Sequence, residues 1–444
     1  MNYPYPSARS SSVVQPGHSR HAVISWRFLP LAALGLVVAS VGLCLLQPPD
    51  THATVSGSHQ IQPATTNHAL PMSRLMPVQT PAANPVPDNG AAASQKSVTK
   101  EERLARLKES GGTPAIDDAV VKALQFLKKT QQADGSWPGG TAMTGFALLA
   151  YLGHGETPAS ADFGDSFLRA ITYLIKLGMK QGGKLALDTK PKHWPYEHAI
   201  ATYALADSAA CCTQLKLNVS NLQEITKKAG QFVIDNQNIS GGWDYSYSEN
   251  SARGGDLSIT VWHMLALKAC TNTGLEFRNL RQAVAKGLEY GEKLQVPSGG
   301  FGYSGPYSAH IDYFTLTGAG MLTQQIWDRG SRASVRSGAV YMSKQSRFEY
   351  NTSFADLYGH FFESQAMLNR GGEQWRRYSA MTLDQLLVNQ NPDGSWKAPG
   401  GGRIIRAVAP MFQNAHYRTC LCTLMLEVYY RYLPTVRPAQ ASGN

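Results

Sequence analysis

The chain has 444 residues, 43% hydrophobic and 16% charged, with a net charge of +10. That apolar content is enough for a large buried core. No Lys/Arg run is interleaved with aromatics, which excludes nucleic acid as a partner. Residues 1–46 hold Arg9, Arg20 and Arg27 and no acid, while 47–99 balance Asp50 and Asp88 against Arg74 and Lys96, so +7 falls on residues 100–444. The six cysteines include no CxxC pair. Cys211, Cys212, Cys270, Cys420 and Cys422 lie in apolar helical stretches and read as buried thiols rather than as a disulfide frame or a zinc site.

In chain order, residues 1–27 read as a cytoplasmic tail. Phe28 to Leu46 is an uncharged, mostly apolar run of 19 residues, long enough to cross a bilayer core. Arginines precede it, so the positive-inside rule puts the N-terminus in the cytoplasm and the main domain outside. This predicts a single-pass protein of a bacterial inner membrane. A cleaved signal peptide is the alternative, with Thr51-His52-Ala53 as the cut site. Residues 47–114 read as a disordered linker, because eight prolines fall among Ala, Thr, Ser, Gln and Asn in 47–99.

From 115 to 434 the sequence repeats, leaving 435–444 as a tail. Four segments share glutamine, three residues, glycine, one residue, aromatic: Gln131-Gly135-Trp137, Gln237-Gly241-Trp243, Gln295-Gly299-Phe301 and Gln390-Gly394-Trp396. Two degenerate copies end at Trp194 and Phe348, which spaces the aromatics 47 to 58 residues apart and counts six units. Amphipathic stretches precede the glutamines, with a basic-small pair at Lys122-Ala123, Arg169-Ala170, Lys228-Ala229 and Lys286-Gly287. The glycine turn ends each such helix, and the glutamine amide is expected to satisfy backbone groups left open there. A helix apolar nearly all round then follows, as in Ile259 to Leu267 and Thr419 to Leu426. Six half-wet outer helices and six buried inner helices predict an all-α, (α/α)6 toroid with space for a pocket on its axis.

The pattern is that of the QW motif, and the domain resembles the prenyltransferase and squalene-oxidase repeat superfamily. This includes squalene–hopene and oxidosqualene cyclases and the β subunits of protein prenyltransferases. The phrases from Tyr196 to Tyr203, Asp256 to Thr260, Tyr358 to Met367 and Tyr430 to Pro434 are similar to those of membrane-anchored bacterial squalene-cyclase-like proteins of unassigned activity. The resemblance implies the toroid and an isoprenoid or lipid-like ligand. It does not carry over either known chemistry. The cyclase acid motif Asp-x-Asp-Asp is reduced at Gly255 to Thr260 to the single carboxylate Asp256. Asp117-Asp118 reads more simply as a helix-start cap pair. The prenyltransferase zinc motif is matched by Tyr417 to Thr423, but Arg418 stands where the histidine ligand would be. Neither a metal nor a cofactor is expected.

The remaining polar residues lie on apolar inner helices. Glu197 and His198 open the second, Asp256 the third and Asp312 the fourth. Asp356 and His360 share one face of the fifth, in hydrogen-bond reach, and His416 is near the start of the sixth. Capping accounts for Glu197, Asp256 and Asp312, and a satisfied core pair for Asp356 with His360. Helix starts gathered at one end of a ring would nevertheless line one mouth of the cavity. Tyr196, Trp262, Tyr303, Tyr313 and Tyr358 would add aromatic walls suited to apolar or cationic guests. Two functions stay open. One is a ring that handles an isoprenoid or lipid-like ligand. The other is a non-catalytic extracytoplasmic ring that binds a protein or envelope component. A closed axial pocket would favour the first and an axis plugged by side chains the second.

Overall fold

The computed structural model describes residues 98–191, 194–248, 254–307, 315–400, 409–430 and 432–436. The apolar run Phe28–Leu46 and the proline-rich stretch after it lie outside them. Among the described residues no helix is long and apolar enough to cross a membrane.

The described residues form thirteen α-helices and no strand. A short first helix, α1 (Lys100–Glu109), precedes six hairpins, each an outer helix followed by an inner one. These pair α2 (Pro114–Thr130) with α3 (Thr141–His154), α4 (Gly164–Lys180) with α5 (Trp194–Gln214), and α6 (Leu222–Asp235) with α7 (Leu257–Asn272). They continue with α8 (Leu280–Lys293) and α9 (Thr317–Gln325), α10 (Ala333–Gln345) and α11 (Leu357–Arg370), and α12 (Gly372–Val388) and α13 (Ala415–Glu427). Outer helices bury one stripe, whereas every residue of α3 is buried, as is most of α5, α7, α9, α11 and α13. Inner helix packs on inner helix in chain order, α3 on α5 through to α13, and α13 packs back on α3, so the contacts form a closed cycle. Small residues let the backbones meet. A Cβ at Gly145 would lie 3.1 Å from the Ile200 carbonyl, and one at Gly318 would lie 2.5 Å from the Glu363 nitrogen.

The repeated motif joins units to one another. Gln131 donates to the carbonyl of Gly135 in its own loop at 2.9 Å and to that of Ser166 in α4 at 2.9 Å. Gln237 does the same with Gly241 and with Ala283 in α8, and Gln295 with Gly299 and Ser334 in α10. Gln390 donates to Gly394 at 3.1 Å and to Ala119 of α2 at 2.8 Å, which ties the last unit to the first. The glutamine therefore serves the turn that ends its own helix, as the sequence suggested, and the next outer helix as well. The tryptophans point back, and the indoles of Trp137, Trp243 and Trp396 donate to Leu127, Val233 and Leu386.

The motif glycines have positive φ and touch the next unit. A Cβ at Gly135, Gly241 or Gly394 would sit 2.3, 2.5 or 2.1 Å from the carbonyl oxygens of Arg169, Lys286 and Lys122. The basic-small pairs of the sequence are these landing sites. Gly183, with φ +98, also lands on the basic-small pair of the next unit, where a Cβ would lie 2.6 Å from the Lys228 Cβ. It corrects the second copy. Leu185, fully buried, fills the aromatic's place, whereas Trp194 opens α5.

Two boundaries also differ from the sequence reading. The stretch taken as linker ends in α1, started by a capping box between Thr99 and Glu102. Arg103 of α1 pairs with Asp117 at 2.9 Å, and the Arg106 guanidinium lies 4.5 Å from the centre of the Tyr432 ring. Packing at the other end continues past 434. Thr435, fully buried, donates to Asp207 of α5 at 2.7 Å and accepts from Asn272 of α7 at 3.1 Å.

Burial pushes the Asp207 carboxyl up to about 7, against hydrogen bonds from Thr435 and Asn272 that lower it. The folded value lies above the unfolded one, near 4, so the folded state holds the extra proton between the two. Stability contributed by this group is complete below about 4 and is lost as pH rises towards 7. Asp207→Asn should gain stability relative to the native chain across that window and level off above it. Urea unfolding of both at pH 5, 7 and 8 checks this, and a difference independent of pH would refute it.

Candidate functional site

The starts of several inner helices meet around Asp256. This residue caps α7, accepting from the Ile259 amide at 3.0 Å and the Ser258 hydroxyl at 2.8 Å, and is 1% exposed. Three neighbouring segments bring tyrosines to it. The Tyr196 hydroxyl at the start of α5 hydrogen-bonds that of Ser258, and the ring stands 5.9 Å from Tyr245 of the α6–α7 loop. Tyr245 and Tyr303 share a hydroxyl hydrogen bond, and Tyr303 accepts the Leu257 amide through its carbonyl at 2.7 Å. Tyr358 of α11 donates to the Ser258 carbonyl at 2.9 Å. Burial, and next the Asp256 charge, push the Tyr196 phenol well above the usual range, so it stays a neutral donor. Tyr196, Tyr245 and Tyr303 are only partly buried and form a reachable aromatic rim over a buried acid.

Below the rim the centre is filled. The Trp262 indole donates to the Tyr358 hydroxyl at 3.0 Å. Its ring stacks on Phe361 at 5.3 Å, meets Phe362 at 5.1 Å, and takes the edge of Phe146 at 5.3 Å. Phe146 in turn packs on Tyr417 at 5.7 Å. These side chains come from α3, α7, α11 and α13, which are not all neighbours in the cycle, so they meet across its middle. The open axis expected from sequence is replaced here by aromatic packing. The cause is the tight wall, in which glycines and alanines bring the inner helices close.

No known family model and no curated protein matches the chain. Solved structures do. The type II terpene cyclase MstE from Scytonema in complex with geranylgeranyl dihydroxybenzoate is 12% identical, with 76% of this chain and all of that one covered and a TM-score of 0.42. The apo form of the same cyclase gives 13% identity, coverage of 72% and 98%, and a TM-score of 0.43. A protein from Actinoplanes gives 12%, 72% and 99%, and 0.42. Likeness at this level carries no inference about chemistry.

The other sequence candidates divide by position. Tyr196, Asp256, Trp262, Tyr303 and Tyr358 come together as described. Asp312 and Tyr313 lie outside the described residues. Glu197 stands at the start of a neighbouring helix, accepting the Thr141 amide of α3 at 3.3 Å, with its carboxylate against Gly140. Asp356 caps α11 through the Gly359 amide at 3.1 Å. Burial pushes its carboxyl up to about 6, against the Gly359 amide and the His360 charge.

The expected Asp356–His360 hydrogen bond is replaced. His360 bonds the Tyr378 hydroxyl at 2.8 Å and the Arg347 carbonyl at 2.9 Å, and its Nδ1 lies 3.2 Å from Glu363. Burial lowers its pKa, but Glu363 and then Asp356 outweigh that and raise it. His198 accepts the Leu185 amide at 2.9 Å and bonds the Ala229 carbonyl at 3.2 Å; burial holds it neutral, down to about 3. His416 turns outward, 5.5 Å from Phe126 of α2, and burial, then Arg418, lowers its pKa. Arg418 is committed to the carbonyls of Trp396, Phe412 and Gln413. Among the described residues no group of three or more His, Cys, Asp or Glu is placed to hold a metal, and the five described cysteines are free thiols.

Sequence reasoning missed Ser258, which lies within the phrase from Asp256 to Thr260 but was passed over for its carboxylate, and Tyr245, which belongs to no phrase singled out. It also misread Asp117. That residue is 1% exposed and accepts from Arg103 and Tyr430 at 2.9 Å each, with His154 at 3.4 Å. Burial raises its carboxyl pKa, but His154, Arg103 and Tyr430 outweigh that and hold it well below the usual range.

Proposed function

We propose that this chain is a membrane-anchored, six-hairpin α/α toroid of the squalene-cyclase and prenyltransferase-like type, and that it binds an isoprenoid or similar apolar ligand at one mouth. The observation that carries this reading is the convergence of Tyr196, Tyr245, Tyr303 and Tyr358 on Asp256, with three of the rings partly exposed. Aromatic faces take apolar chains, and hydroxyls beside a carboxylate take a polar or cationic head. The aromatic packing at the centre supports a guest at the rim instead of inside the ring. We assign no reaction, since Asp256 serves as the cap of α7, its Oδ1 accepting from the Ile259 amide and the Ser258 hydroxyl. The anchor rests on Phe28–Leu46, with the ring on the far side of a bacterial inner membrane, and retention in carbonate-washed membranes tests it.

The test is a binding isotherm of geranylgeraniol on the full chain in detergent, beside mass spectrometry of lipids that co-purify. Tyr196→Ala with Tyr303→Ala should weaken binding at least tenfold without changing the helical circular-dichroism spectrum. Equal binding by both proteins would overturn the assignment. The second reading, a non-catalytic ring that recognises an envelope component, is favoured by the filled centre. A chain free of lipid that captures one defined envelope protein would support it.

A further inference from the structure

Between α1, α2 and the loop from α3 to α4 lies a cavity of about 600 Å³, the size of a small-molecule site. Four of the side chains that line it are joined in a row. Arg103 Nε donates to Asp117 Oδ1 at 2.9 Å, that oxygen lies 3.4 Å from His154 Nε2, and His154 Nδ1 bonds Glu156 Oε1 at 2.7 Å. Asp117 and His154 are 1% exposed and Glu156 8%. Val121 and Phe163 add apolar wall. At the edge, Lys100 and Lys122 offset Asp118 and Asp162, so the row decides what the cavity accepts.

The row has spare capacity of both signs. Arg103 Nη1 donates to the Val98 carbonyl at 3.0 Å, which leaves Nη2 unused. Glu156 Oε2 and Asp117 Oδ2 are unused as well, since the bonds of both carboxylates go to their other oxygens. None of these three atoms has a hydrogen-bond partner among the described residues, and none is sealed off by them. A simple anion would leave the two oxygens unanswered and meet their charge, and a simple cation would do the same with the guanidinium. Among the described residues no group of three or more His, Cys, Asp or Glu is placed to hold a metal. A guest that carries both charges answers both. We propose that this cavity binds a small zwitterion, an aliphatic amino acid whose ammonium end is held by the Glu156 and Asp117 carboxylates and whose acid end is held by the Arg103 guanidinium.

The methylenes between the two ends would lie on Val121 and Phe163. Asp117 is ready for this part, because burial, which raises its pKa, is outweighed by His154 and then Arg103, and the carboxyl stays ionised. His154 is a positioning residue, since its two ring nitrogens face the two acids and hold them apart. The three holders come from separate segments: Arg103 from α1, Asp117 from α2 and Glu156 from the loop after α3. A guest held by all three would fasten α1 to the first hairpin, so binding should stabilise the chain as well as register as heat.

The test is isothermal titration of the full chain in detergent with straight-chain amino acids from glycine to 6-aminohexanoate, beside butylamine and butyrate. One chain length should bind tightest, about tenfold or more above either single-charge probe, and the same compound should raise Tm. Glu156→Gln should weaken it by about tenfold or more. If that variant does not fold, Val121→Trp fills the space without touching the row of charges and should block binding. No binding by any amino acid of the series, which is what a merely water-filled cavity gives, would overturn the site. So would butylamine or butyrate binding as tightly as the best amino acid, or an unchanged affinity in either variant once it is shown to be folded.

Discussion

Gly394→Ala should cost the chain about 3–5 kcal/mol, as backbone strain and overlap add. Gly394 has φ +92, where a Cβ is strained whatever surrounds it, and that Cβ would stand 2.1 Å from the Lys122 carbonyl oxygen and 3.2 Å from the Ala123 amide nitrogen. Backbone cannot swing aside as a side-chain tip can. Relief would require α2 to move away from the last motif loop, and that movement would break the Gln390 bond to Ala119. Gly274→Ala is the control. It too has positive φ, +73, but meets nothing within 4 Å, so only the strain of about 1 kcal/mol should appear. Urea midpoints of the two variants separate the effects. A loss at Gly394 no larger than at Gly274 would show that the closure contact carries little energy.

Trp262→Ala should lose about 3–5 kcal/mol, the usual range for deleting a large aromatic from a packed interior. The indole is fully buried and touches Phe146, Phe361, Phe362 and Tyr358. Its removal leaves the Tyr358 hydroxyl one donor short and opens an apolar void that the surrounding helices cannot fill, because glycines already bring their backbones together. The void should admit xenon, as dry apolar cavities do. A crystal under xenon pressure, with a urea series, measures both results. A loss below about 1 kcal/mol would mean that the middle of the ring is not held by this packing.

Much of the architecture was legible because it repeats. Gln131, Gln237, Gln295 and Gln390 recur with their glycines for a reason that acts at every copy, so four occurrences expose a pattern that one would hide. The glutamine's second partner was not legible, since it lies in the next unit and no local rule points there. Leu185 was missed because the second copy kept the glycine geometry at Gly183 and gave up the aromatic. Its amide donates to His198, whose structural duty looks in sequence like a catalytic candidate. Asp117 was read as a cap because its partners, Arg103, His154 and Tyr430, are scattered along the chain.

The mouth was half legible. Tyr196, Asp256, Tyr303 and Tyr358 sit near helix starts, and parallel inner helices bring such positions together. Ser258, which joins Tyr196 to Asp256, has no distinguishing signal. The filled centre was the opposite of what an apolar inner wall suggested. Amphipathic period shows which helices are buried but not how close they come, and that distance was fixed by Gly145 and Gly318 against Ile200 and Glu363.

The bond from Gln390 to Ala119 joins residues 271 positions apart. An open solenoid can gain or lose a unit at its ends, and each unit can fold once its neighbour exists. A closed cycle cannot do either. Adding a seventh hairpin would break the join between last and first, so the number of units is set by geometry and cannot drift by duplication. On the ribosome the first outer helix must wait for the last motif loop before its landing site is covered, and closure comes late and all at once. Once closed, no unit is first. The chain could begin at another loop between hairpins and reach the same shape, because what the circle needs is six joins and not a particular starting point.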